Sequence, residues 1–121
     1  MLIAIALIIQ LAASAQKKVE LVSPNGVLKV TVSLTDRIFY DISFKNKTLL
    51  KDNVISLGLA NSTLGQNPKL VKQNRISMDE VLSPVVPLKF STVKNVYNQL
   101  TLDFKGGYSI EFRAFDEGVA F

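Results

Sequence analysis

From residue 28 the chain alternates between apolar and polar positions. Leu28, Val30, Val32 and Leu34 are separated by Lys29, Thr31 and Ser33, which puts an apolar row on one face of a strand and a polar row on the other. Ser23-Pro24-Asn25-Gly26 precedes this run as a turn, and Val19-Glu20-Leu21 reads as its partner strand. Thr35-Asp36-Arg37 turns the chain into Ile38, Tyr40, Ile42 and Phe44, set against Asp41, Ser43 and Lys45, so the pattern predicts a meander. Lys45-Asn46-Lys47 is the next turn, because Asn tolerates the left-handed backbone that tight hairpins need, and residues 48–50 begin another short strand. Residues 54–59 are apolar enough for a buried strand, 60–69 read as a loop rich in Asn, Ser, Gly and Pro, and 70–76 as a strand. Pro84 and Pro87 make 77–87 irregular and exposed.

The clearest hairpin lies near the end of the chain. Leu100, Leu102 and Phe104 alternate with Thr101, Asp103 and Lys105; Gly106-Gly107 supplies a two-residue turn; Tyr108, Ile110, Phe112 and Ala114 alternate with Ser109, Glu111 and Arg113. Two glycines take positive φ at no steric cost, as a primed turn requires. Beyond residue 15 no apolar stripe of helical period is sustained. The prediction is an all-β chain whose sheets each bury one apolar face against the other, a sandwich. Gly118-Val119-Ala120-Phe121 reads as the start of a further strand, so the sandwich is expected to be incomplete at its C-terminus.

Composition removes several chemistries. The 121 residues, 48% hydrophobic and 20% charged, suit one globular domain. There is no His, Cys or Trp, which excludes a Cys/His zinc site, a Cys nucleophile, a Ser-His-Asp triad and any disulfide. The net charge of +4 is spread along the chain, with Lys17-Lys18 as the longest basic run. Nucleic-acid binders gather their positive charge where phosphates pass, so nucleic acid is not an expected partner.

Residues 2–15 carry no charge and end in Ala13-Ser14-Ala15 before Gln16-Lys17-Lys18. Small residues at the first and third positions before the cut are what signal peptidase accepts, so residues 1–15 are read as a signal peptide and 16–121 as the mature domain. The run is shorter than the roughly 20 apolar residues a membrane span needs. The expectation is a periplasmic or secreted bacterial protein without a stable membrane anchor. The competing reading is a buried apolar segment opening a cytosolic domain. No basic residue precedes Leu2, which points to a start further upstream or a truncated reading frame.

Candidate chemistry is sparse. Glycoside hydrolysis needs two carboxylates flanking the scissile bond, and Asp79-Glu80 and Asp116-Glu117 are the adjacent acid pairs. Neighbours on a strand point to opposite faces, and in a turn both face solvent, so neither pair reads as an acid/base dyad. Tyr97, flanked by Asn95 and Asn98, has the ring to stack on a sugar and amides to bond around it; an edge-strand Tyr in a polar turn accounts for the same residues. Asn46-Lys47-Thr48 and Asn61-Ser62-Thr63 match the N-glycosylation pattern, which matters only in a eukaryotic secretory path.

Val22-Ser23-Pro24-Asn25-Gly26, leading into Leu28-Lys29-Val30 and Ser33-Leu34-Thr35-Asp36, resembles the start of the amino-terminal domain of glycoside hydrolase family 97, the bacterial α-glucosidase and α-galactosidase family. Val96-Tyr97-Asn98-Gln99-Leu100 and Phe112-Arg113-Ala114-Phe115-Asp116-Glu117-Gly118-Val119-Ala120-Phe121 are similar to that domain's second landmark, so the resemblance runs in order from about Val19 to Phe121. It implies a β-supersandwich similar to the galactose mutarotase fold, packed on a catalytic (β/α)₈ barrel further along the chain, with an oligo- or polysaccharide substrate. It also implies that catalytic residues and the glutamates holding calcium in a full-length member lie outside the matched region, so this chain has no catalytic residues and no cofactor of its own. The candidate carbohydrate contacts are Tyr97, Asn98, Arg113, Asp116 and Glu117. Where the family pattern leads one to expect tryptophans and a Gly-Glu pair, this chain has Val81-Leu82-Ser83-Pro84-Val85-Val86-Pro87. The expected role is a non-catalytic domain of an exported glycoside hydrolase that shapes the cleft of the barrel. The alternatives are a free-standing sugar-binding sandwich and the inert product of a broken gene.

Overall fold

The computed structural model describes residues 16–86, 89 and 92–121; the proposed signal peptide lies outside the described residues. Among them the regular structure is all strand. In chain order these are β1 (Lys17–Val22), β2 (Leu28–Leu34), β3 (Ile38–Phe44), β4 (Lys47–Ile55), β5 (Leu57–Gly58), β6 (Thr63–Leu64), β7 (Leu70–Leu82), β8 (Val93–Phe104), β9 (Tyr108–Ala114) and β10 (Val119–Ala120). One sheet has the order β1-β2-β3-β4, a second the order β10-β9-β8-β7, and β5 and β6 form a small separate hairpin. Every pairing is antiparallel.

The alternation read from the sequence decides which face of each sheet turns inward. Val19 and Leu21 of β1, Val30, Val32 and Leu34 of β2 and Ile38 of β3 meet Leu100, Leu102 and Phe104 of β8 and Phe112 and Ala114 of β9 in one buried cluster. Register keeps the rows together: Val30 pairs with Ile42, Val32 with Tyr40, and Leu100 with Phe112. Two antiparallel sheets sharing one apolar layer make a sandwich.

The turns follow residue chemistry. Lys45 and Asn46, at φ 50° and 62°, form the left-handed pair that joins Phe44 to Lys47. The Ser23 to Leu28 turn is bonded from within: the Leu28 N–H donates to Ser23 Oγ at 3.0 Å, and the Ser23 hydroxyl donates to Asn25 Oδ1 at 2.7 Å. Gly26 takes the positive φ of 77° that closes it.

Four readings from the sequence are corrected. The Gly106-Gly107 turn is a three-residue connection, because Phe104 pairs with Tyr108 and Lys105 belongs to the loop. The short strand at 48–50 is the start of β4, which runs on to Ile55 past a register shift between Tyr40 and Ser43. There Asp52, at φ 54°, donates its N–H to Asp41 Oδ1 at 2.6 Å. Residues 54–59 are not a buried strand: Val54, next to last in β4, is 42% exposed, and Leu57 lies in the outlying hairpin. Residues 77–82 are not irregular but continue β7, paired to β8 as far as Leu82 opposite Val93. Pro84 falls beyond the last pair, where it blocks no ladder bond. This part of β7 lacks apolar alternation because it has little to bury against. The β8–β9 pairing ends at Asn98 opposite Ala114, so the hairpin continues as a two-stranded ribbon.

Candidate functional site

The five carbohydrate candidates fall on two neighbouring features. Leu100 and Phe112 pair in the core, so the adjoining pair, Gln99 and Arg113, points to the opposite face of the sheet. Tyr97 shares that outer face with Gln99, two residues along β8. The Arg113 guanidinium sits 4.8 Å from the centre of the Tyr97 ring, and the Phe115 ring lies 5.2 Å from it, tilted by 54°. Arg113 Nε donates to Gln99 Oε1 at 2.9 Å, and its Nη2 lies 2.9 Å from Glu111 Oε1. Tyr97 is thereby only 5% exposed although it points away from the core. A sugar ring stacking on it would have to displace Phe115 or Arg113. Tyr97 lies within β8, paired with Met78 of β7 and one residue beyond the last β9 pair at Asn98, so it sits in a strand and the reading of it as part of a polar turn is corrected here.

Asn98 and Asp116 belong to a clasp at one end of the sandwich. Asn98 Nδ2 donates to the Val22 carbonyl at 2.8 Å, while its Oδ1 accepts from Ser77 Oγ at 2.7 Å. Asp116 Oδ1 accepts the N–H of Asn25 at 2.9 Å. The Asp116 turn is itself closed by the Phe115 N–H donating to the Gly118 carbonyl at 2.8 Å. The Ser-Pro-Asn-Gly turn of the first sheet is thus held by β8 and by the β9–β10 turn of the second. Glu117 is exposed and bonds to no other described residue in the same clasp.

Several of the remaining acids are also engaged. Of the ten, Asp41 caps the β4 bulge, Glu80 accepts from Asn95 at 2.6 Å, Asp103 from Ser109 at 2.5 Å, and Asp36 from Thr35 at 3.0 Å. Glu20 pairs with Lys29 at 3.8 Å. Among the described residues no group of three or more acids, His or Cys converges to hold a metal ion.

Beside Arg113 and Glu111 an open cleft of about 490 Å³ is lined by Ile55, Ile110, Ala120 and Phe121 as well. Phe121 packs at a tilt against Tyr40 and Phe112, at 5.3 and 5.7 Å between ring centres. The sequence pointed to neither this cleft nor Gln99 and Phe115 as the partners of Arg113 and Tyr97. Cross-strand register alone would have supplied the Gln99–Arg113 pair; the Asn25–Asp116 bond, between residues 91 positions apart, leaves no local signal.

Two antiparallel sheets that share one core, with the first turn tied to the last, define a β-sandwich domain most of whose carboxylates already have partners within the chain. The chain belongs to the glycosyl-hydrolase 97 N-terminal family, whose model matches residues 21–121. It is 41% identical over 112 residues to a retaining alpha-galactosidase of Bacteroides thetaiotaomicron, covering 92% of this chain and 17% of that protein. It is also similar to the solved structure of a glycoside hydrolase family 97 enzyme from Pseudoalteromonas sp. strain K8 in complex with panose, with a TM-score of 0.77 and 28% identity over 84% of this chain and 16% of that one. A β-arabinopyranosidase structure shares the fold at a TM-score of 0.73 and 23% identity, over 83% of this chain and 17% of that one. The chain thus spans about one sixth of the length of these relatives.

Proposed function

We propose that this chain is the non-catalytic, carbohydrate-associated amino-terminal part of an exported glycoside hydrolase, packing on and shaping the cleft of a catalytic barrel that lies elsewhere in the full-length protein. The observation that carries the reading is the commitment of its carboxylates: Asp41, Glu80, Asp103 and Asp116 each accept a hydrogen bond from the chain itself. Glycoside cleavage instead needs a positioned acid and a second carboxylate about 5–9.5 Å away. The relative named as a retaining alpha-galactosidase supports a galactoside-like substrate for the whole enzyme, and the panose complex supports an oligosaccharide. Calcium, where a full-length member uses it, would be held by residues outside this chain.

Of the five carbohydrate candidates, Glu117 has a carboxylate free to meet a sugar hydroxyl. Tyr97, Asn98, Arg113 and Asp116 would each have to exchange a protein partner for the ligand, so direct binding by this segment is weak. The purified chain is expected to show no hydrolysis of aryl α-galactosides or α-glucosides, with or without calcium. Calcium-dependent turnover that disappeared in Asp116→Asn or Glu117→Gln would overturn the reading. Export is tested separately: mass spectrometry of mature protein should find Gln16, or its cyclised form, at the amino terminus, and intact Met1 in a periplasmic fraction would refute it.

A further inference from the structure

Among the described residues β7 is the terminal strand of its sheet, paired to β8 on one side. It is 13 residues long, where strands commonly have about 5–6, and nearly all of it is exposed. A long bare edge is a template for another strand. Its apolar side chains are uncovered as well: Val71 is 70% exposed, Ile76 39% and Val81 61%.

The charges on this strand are polarised. Lys72 and Arg75 occupy its first half, Asp79 and Glu80 its second, and Ile76 stands between them. Among the described residues Lys72, Arg75 and Asp79 enter no ion pair. Parallel pairing of two such strands in register would set like charge on like. Antiparallel pairing about a two-fold axis does the reverse.

We propose that β7 pairs edge to edge with β7 of a second copy of this chain, about a two-fold axis through Ile76, joining two four-stranded sheets into one eight-stranded sheet. In that register Ile76 meets Ile76 of the partner subunit and Lys72 meets Glu80 of the partner subunit. Arg75 lies diagonal to Asp79 of the partner subunit. The axis makes each contact other than the central Ile76 pair twice. A register centred on Ser77 also opposes Arg75 to Asp79, but it sets Lys72 against Leu82 and Val81 against Gln73, losing the end-to-end match. The irregular step between Leu70 and Lys72 ends the pairing on the amino-terminal side. This interface rests on the strand's own pattern and does not depend on the function proposed above.

The chain has no cysteine, which makes the test direct. Sedimentation of the purified chain over a concentration series should show a reversible monomer–dimer equilibrium. Lys72→Glu and Glu80→Lys should each weaken association by about tenfold or more, because each reverses a cross-strand charge pair that the axis counts twice; the double variant should restore it. Under mild oxidation Ile76→Cys should form a disulfide-linked dimer roughly tenfold faster than Ser77→Cys, since the axis places its sulfurs within bonding reach. A chain that stays monomeric overturns the proposal. So does association indifferent to the charge swaps, or faster cross-linking through Ser77→Cys.

Discussion

Asn98→Ala separates a structural from a ligand-binding role for a residue that the sequence offers equally to both. The substitution removes two bonds at once, the donation from Nδ2 to the Val22 carbonyl at 2.8 Å and the acceptance from Ser77 Oγ at 2.7 Å. A protein hydrogen bond contributes about 1 kcal/mol net, and partial exposure lets water replace some of it, so a loss of about 1–2 kcal/mol is expected. Asp116→Ala removes the acceptor for the Asn25 N–H at 2.9 Å and should cost about 1 kcal/mol. Both side chains hold the same turn, so the double variant should depart from additivity by about 0.5 kcal/mol or more. Glu117→Ala is the control: it removes an exposed acid with no partner among the described residues, and its change should stay within about 0.5 kcal/mol. Urea unfolding followed by far-ultraviolet circular dichroism gives each value as a shift in midpoint at unchanged slope. If Asn98→Ala and Asp116→Ala shift the midpoint no more than Glu117→Ala does, the clasp contributes nothing and the reasoning fails.

Phe112 is fully buried and touches both Tyr40 and Phe121, at 6.5 and 5.7 Å between ring centres. Phe112→Ala should cost about 3–5 kcal/mol, enough to unfold a marginal domain, while Phe112→Leu should cost distinctly less; equal midpoints for the two would contradict the packing described. Gly65, at φ 93°, would bring an added Cβ to 2.8 Å from the Ile55 carbonyl oxygen, whereas Gly58 has open space in that direction. Gly65→Ala should therefore destabilise by about 1 kcal/mol or more while Gly58→Ala stays near neutral or gains slightly, as measured by thermal melting.

The strands that carry the core were legible because one fact, the alternation of side chains along a strand, sets both the pattern and the burial. The rows from Val30 to Leu34 and from Leu100 to Phe104, with Phe112 and Ala114 opposite, needed no partner to be recognised. The Asn46 turn and the Ser23-Pro24-Asn25-Gly26 turn were legible for a similar reason, since left-handed backbone and side-chain bonds to a nearby N–H are local preferences. The second half of β7 was not legible. Its pairing to β8 is made by backbone groups every residue possesses, and with little to bury it carries no apolar period.

The candidate site divides along the same line. Tyr97, Asn98, Arg113 and Asp116 were visible as residue types, but whether each is open to a ligand depends on what folding sets beside it. Phe115 and Arg113 close on Tyr97, and Asp116 reaches across to Asn25. Such contacts join segments whose separation along the chain leaves no periodicity to read, and they exist only once the two sheets have stacked.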